Sequence, residues 1–65
     1  MSIDKKLKEL REEHGKTQEE IANVLGVKVQ VYQRYEYGTR EPKIDVVRKL
    51  ALYYGISSDE ILEIR

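Results

Sequence analysis

The twelve residues from Gly26 to Tyr37, GVKVQVYQRYEY, hold three valines and three tyrosines. By composition the run is a β-strand, because Val and Tyr favour strands and VKVQVY alternates apolar with polar residues. Spacing says otherwise. The alternation holds through Tyr32 and fails at the adjacent polar pair Gln33 and Arg34. A helical period runs through the whole segment: Val31 and Tyr35 are four apart, and Tyr32 and Tyr35 are three apart. Gly38 then stands where a helix-ending glycine belongs. The run reads as a helix over residues 28–37.

Its neighbours agree. Upstream, TQEEIANVLG places Glu20 three residues after Thr17, a capping-box signature, with Ile21, Ala22 and Leu25 as the apolar face and Gly26 as the stop. Before that, IDKKLKELREEHG sets Ile3, Leu7 and Leu10 on one stripe and Gly15 at the end. Downstream, TREP is a loop closing on the sole proline, Pro42. From Ile44, the residues Val47, Leu50, Ala51 and Tyr54 form another helical face that Gly55 terminates. SSDEILEI supplies Ser57 or Ser58 as an N-cap, early acidic residues, and Ile61, Leu62 and Ile64. The expected fold is all-α: one compact domain of five helices over residues 1–65.

Composition narrows the function. The chain has 65 residues, no cysteine and one histidine, so neither a disulfide framework nor a thiolate metal site is available and no cofactor is expected. Stability must come from packing. No run approaches the roughly 18 apolar residues of a membrane span, and MSIDKKLKEL lacks the apolar core of a signal peptide. A cytoplasmic protein is expected. No catalytic triad, nucleotide loop or metal cluster is legible, so an enzyme is not expected.

Twelve basic and twelve acidic residues cancel. Their distribution does not cancel: residues 1–16 carry +1, 17–26 carry −2, 27–43 carry +2 and 44–65 carry −1. The basic excess falls on GVKVQVYQRYEY and the loop after it.

Two short helices joined at a glycine form a helix-turn-helix unit. TQEEIANVLGVKVQVYQRYEYGTREP, Thr17 to Pro42, resembles the helix-turn-helix of the lambda-repressor-like family, the phage repressor and Cro group. The residues that carry the likeness are Ile21, Ala22, Leu25, Gly26, Val27, Tyr32 and Tyr35, and the five-helix plan extends it over nearly the whole chain. Ala22 suits a close helix crossing, and Gly26 suits a turn needing φ > 0. Tyr32 and Tyr35 are expected in the core with their hydroxyls toward the rim.

The resemblance implies a sequence-specific DNA-binding transcriptional regulator, a repressor, whose second motif helix enters the major groove. It assigns base contacts to Lys28, Val29, Gln30, Gln33 and Arg34, with Tyr37 a further candidate. Gln30 suits adenine, Arg34 suits guanine, and Val29, read as exposed, suits a thymine methyl. Phosphate contacts fall to Gln18, Thr39, Arg40 and Lys43, which position the protein without reading sequence. Arg11 and Glu36 occupy positions that pair in phage repressors, which would remove one negative charge from the DNA-facing side. Val29 and Val31 depart from the Ser, Thr or Gln commoner in the family, so base preference is this chain's own.

A homodimer on a pseudo-palindromic site is also implied, with half-sites roughly 34 Å apart. Ile56, Ile61, Leu62 and Ile64 are more apolar residues than one terminal helix needs, and some are expected at the dimer contact. Tyr53 and Tyr54 fit either core or interface. The alternative function is a protein-interaction or antitoxin-type module, favoured by the neutral net charge.

Overall fold

A computed structural model of the protein describes residues 3–62, which form five α-helices. These are α1 (Ile3–Glu13), α2 (Gln18–Leu25), α3 (Val29–Tyr37), α4 (Ile44–Tyr54) and α5 (Ser58–Leu62). The valine-and-tyrosine run is therefore helical, beginning one residue later than its spacing predicts because Lys28 is the N-cap in extended conformation.

Each boundary has a local cause. Thr17 and Glu20 close the capping box at α2: the Glu20 N–H donates to Thr17 Oγ1 at 3.1 Å and the Thr17 N–H donates to Glu20 Oε1 at 3.0 Å. Gly26 ends α2 in the left-handed region, φ 72°, and the Val27 N–H donates back to the Ala22 carbonyl at 3.0 Å. Val27 then packs against the core, so the turn is held by both a hydrogen bond and an apolar contact. At α5 the cap is Ser57, whose Oγ accepts from the Glu60 N–H at 3.3 Å.

The helices pack α2 on α3, α1 on α3 and α5, and α4 on α2 and α5. Their apolar stripes meet in one core: Leu7 and Leu10 from α1, Ile21, Ala22 and Leu25 from α2, Tyr32 and Tyr35 from α3, Val47, Leu50, Ala51 and Tyr54 from α4, and Ile61 from α5. Ala22 is buried in this core, as a close α2–α3 crossing requires.

Two features differ from the sequence reading. The Tyr32 hydroxyl is wholly buried rather than at the rim, because α3 turns its inner face squarely onto α1. Ile61 is fully buried in its own chain's core, so it has no surface to offer a second copy. Ile56 and Leu62 are half-buried, and Ile64 lies outside the described residues.

Gly38 ends α3 at φ 79°, and a Cβ placed there would stand 3.0 Å from Asp4 Oδ2. Gly26 is also left-handed but has nothing within 4 Å of such an atom. Gly26→Ala is expected to lower stability by the left-handed strain alone, about 1–2 kcal/mol. Gly38→Ala should cost more, since the Asp4 side chain must also move. Paired thermal melts check the order; equal losses would show that the contact with α1 carries no weight.

Candidate nucleic-acid interface

The outer side of α3 collects the residues expected at DNA. Lys28, Gln30 and Arg34 are exposed, as is Tyr37 at the end of the helix. Val29 is not exposed as its sequence position suggested. As the first residue of α3 it lies close to the α2–α3 turn, and it is half-buried against the core, with only part of its surface facing out. Val31 is likewise half-buried. Lys28 caps α3 without a side-chain hydrogen bond, so the positive end of the helix is not neutralised by an acidic or hydroxyl cap.

Behind this face runs a chain of polar side chains. Arg11 on α1 donates from Nε to Glu36 Oε2 at 2.6 Å and from Nη2 to Glu36 Oε1 at 3.2 Å, a two-pronged ion pair that ties α1 to α3. Its Nη1 donates to the Lys16 carbonyl at 3.0 Å. Gln18, the first residue of α2, donates from Nε2 to Glu36 Oε1 at 3.1 Å and accepts at Oε1 from Gln33 Nε2 at 3.1 Å. Gln33, on α3, is thus half-buried and held by α2.

Glu36 is the sole buried charged residue among those described. Burial by itself would raise its carboxyl, but hydrogen bonding from Arg11, with Tyr32 and Gln18 beside it and the Arg11 charge, outweighs burial and holds it below the usual carboxylate range. The same contact pushes Arg11 up. The Tyr32 hydroxyl is buried without a hydrogen-bond partner among the described residues; burial, and then Glu36 beside it, pushes it far above the ordinary phenol range.

The charge pattern of the face follows. Residues 27–43 carry four cations and two carboxylates, but Glu36 is buried against Arg11, leaving Lys28, Arg34, Arg40 and Lys43 with Glu41 as the exposed acid. A neutral chain therefore presents a basic side. In the loop after α3, the Thr39 and Arg40 N–H groups both donate to the Arg34 carbonyl, at 3.1 and 3.3 Å, so the backbone folds back over the end of the helix. The Arg40 guanidinium sits 5.9 Å from the centroid of the Tyr35 ring, a cation–π distance that steadies it.

One feature beside this face was not legible in the sequence. A cleft of about 530 Å³ opens beside the start of α2, lined by Lys8, Arg11, Lys16, Thr17, Gln18, Glu36 and Tyr37. Lys8 and Lys16 add positive charge next to Gln18. The signal for Lys8 was its place three residues before Arg11 on α1, which puts both on one face; Lys16 has no comparable signal beyond preceding the N-cap.

Residues 7–61 match the helix-turn-helix family of sequences. The chain belongs to the lambda-repressor-like helix-turn-helix family. It is 44% identical over 57 residues to the cryptic phage CTXphi transcriptional repressor RstR of Vibrio cholerae, covering 88% of this chain and 51% of that protein. It is 39% identical over 62 residues to the transcriptional regulator ImmR of Bacillus subtilis, covering 95% of this chain and 49% of that one. The crystal structure of a transcriptional regulator from Listeria innocua superposes with a TM-score of 0.92 at 30% identity, over 98% of this chain and 60% of that chain. The chain thus spans about half the length of the first two relatives. Within the family plan, α2 and α3 are the two helices of the motif, and the match from Leu7 to Ile61 takes in the core-forming parts of all five helices. Transcription regulators, not enzymes, are its relatives. Among the described residues no helix is long and apolar enough to cross a membrane.

Proposed function

We propose that this chain is the sequence-specific DNA-binding part of a transcriptional repressor and that α3 is the helix that enters the major groove. The observation that carries the reading is the polarity of α3: Tyr32 and Tyr35 face inward, its carboxylate is neutralised by Arg11, and Lys28, Gln30 and Arg34 face outward. On this reading Lys28, Gln30, Gln33 and Arg34 meet base edges, with the outer part of Val29 against a thymine methyl. Gln18, Thr39, Arg40 and Lys43 meet phosphates on either side, and Lys8 and Lys16 lie where the backbone would pass α2. Family relatives named as transcriptional repressors and regulators support the regulatory role.

The protein acts as a homodimer on a pseudo-palindromic site in this proposal, because one such module reads few bases. Ile56 and Leu62, both half-buried, are the residues proposed at that contact, with Ile64 proposed from the sequence. Leu52, 83% exposed on α4, adds apolar surface that sequence spacing did not single out, beside Tyr53, which the sequence left open between core and interface.

Arg34→Ala is expected to weaken binding by about 1–3 kcal/mol and relax preference at one base pair, while Lys43→Ala should weaken all sequences alike. Competition titrations against single-base variants of the selected site separate the two. An Arg34→Ala protein with unchanged affinity and preference would remove α3 from the groove.

A second reading, a protein-interaction module on the same fold, is favoured by the zero net charge and by exposed Leu52 and Ile44. A gel shift against random duplex at low salt discriminates, since this reading alone expects no shift.

A further inference from the structure

Arg40 is held to α3 at both its backbone and its side chain. Its N–H donates to the Arg34 carbonyl at 3.3 Å, beside the Thr39 N–H at 3.1 Å. Its guanidinium lies 5.9 Å from the centroid of the ring of Tyr35, the next residue along that helix. The ring is itself fixed: it is 4% exposed and stands at 83° to the Tyr32 ring inside the core. A long exposed side chain loses freedom when a ligand immobilises it, at a cost to affinity. For Arg40 a rigid part of the core has already imposed part of that restriction.

The ring holds Arg40 in a different way from the carboxylate that holds Arg11. Glu36 offsets the charge of Arg11 and occupies two of its N–H groups. An aromatic ring does neither, because the attraction is between the cation and the π-system, while the N–H donors lie in the guanidinium plane. Arg40 is thus placed and still fully charged toward a phosphate, which planar N–H pairs recognise best. Asp4 and Glu41 line the same cleft of about 200 Å³ with Tyr35 and Arg40, so groups that could neutralise the guanidinium are close by. The ring gives it a station that does not depend on them. Core packing alone does not require a ring at position 35, since an aliphatic side chain of similar size also fills a buried helix face.

We infer that Tyr35 is a positioning residue for DNA binding, its ring presetting the Arg40 guanidinium for one backbone phosphate. Because the loop backbone is tied to the Arg34 carbonyl, that phosphate is held in register with Arg34, the proposed base reader. This inference rests on the proposed reading, in which Arg40 meets phosphate and α3 meets bases.

The test uses the selected binding site as a set of duplexes, each with one phosphate replaced by a neutral methylphosphonate. The full chain, Arg40→Gln, Tyr35→Leu and Tyr35→Phe are titrated against the set, with thermal melts confirming that each is folded. The Arg40 phosphate is the one whose neutralisation weakens the wild type and leaves Arg40→Gln unaffected. Tyr35→Leu should bind about two- to fivefold more weakly per half-site. That loss should vanish on the duplex lacking the Arg40 phosphate and in the Arg40→Gln background. Tyr35→Phe, which keeps the ring, should bind like the wild type. If leucine does not fit the core, Tyr35→Met removes the ring with a more adaptable side chain. Proton NMR of the wild type reads the contact without a variant: the Arg40 Hδ signals should be shifted upfield by the ring, both free and on DNA.

A Tyr35→Leu loss that is equal on every duplex and persists with Arg40→Gln overturns the inference and leaves the DNA reading standing, since the ring then acts through the core alone. So does unchanged binding by Tyr35→Leu, or an upfield shift that disappears on DNA, which would make the ring a competitor of the phosphate. An Arg40→Gln protein that responds to every methylphosphonate as the wild type does removes Arg40 from the backbone, and this inference with it. Failure of the wild-type chain to bind duplex overturns the reading of α3 itself.

Discussion

Tyr32→Ala is expected to remove about 3–5 kcal/mol of folding stability, the loss typical of deleting a large buried ring. A domain of 65 residues holds only about 3–10 kcal/mol in all, so the variant should be largely unfolded at moderate temperature. Tyr32 is 0% exposed, sits edge-on to Tyr35 with ring centroids 6.4 Å apart, and lies in the core with Leu7 and Leu10 from the neighbouring α1. The hydroxyl has a different fate. Because it is buried without a well-formed hydrogen bond, Tyr32→Phe should be close to neutral or stabilising. Urea denaturation of the pair checks both halves. A Tyr32→Ala midpoint near wild type would mean that the ring is not the centre of the core, and a severe loss in Tyr32→Phe would mean that the hydroxyl is bonded.

Arg11→Ala is expected to cost about 3 kcal/mol at neutral pH, because it leaves the Glu36 carboxylate buried without its cation. The pH dependence gives the sharper signature. In the wild type, the Glu36 carboxyl is held below its unfolded value of 4.5, so the folded state binds the proton less well than the unfolded one. Its contribution is fully present above about pH 4.5 and is lost as the pH falls through the depressed folded value. Without Arg11 the balance reverses: burial now dominates and raises the folded value, so protonating Glu36 should restore stability as the pH drops. Urea melts from pH 7 to pH 3, with Glu36→Gln as the background for other carboxylates, measure this. Parallel curves for wild type and Arg11→Ala would contradict the ion pair.

How much of this was legible beforehand depends on the range of the interaction. Local signals gave the helices: the Thr17 capping box, the glycine stops and the three- and four-residue spacing of Tyr32, Val31 and Tyr35 all act within one or two turns, and all appear in the structure. That spacing prevailed over strand composition because β-preference is a preference for a half-buried pleated surface, and no second strand exists among the described residues to provide it. The Arg11–Glu36 pair spans 25 positions and was accessible through family resemblance.

What stayed hidden depends on how the helices stack. Val29 looked exposed because helical phase alone cannot show that the first turn of α3 lies close enough to the core to be half-covered. Ile61 looked available for a partner because no spacing rule tells how deeply a five-residue helix is set. The bond from Gln33 to Gln18 joins two positions fifteen apart with no charge to advertise it. Lys8 and Lys16 line a cleft that exists only where α1, α2 and α3 meet.

The outer face of α3 is the surface proposed to read duplex DNA. The most direct measurement is selection of bound sequences from a random duplex pool at low salt, followed by affinity titrations of the winning site across a salt series. The expected result is a pseudo-palindromic site with half-sites about one helical turn apart, affinity falling steeply with salt, and loss of preference at one base pair with Arg34→Ala. Absence of any enriched sequence, with no binding of duplex at low salt, would contradict it.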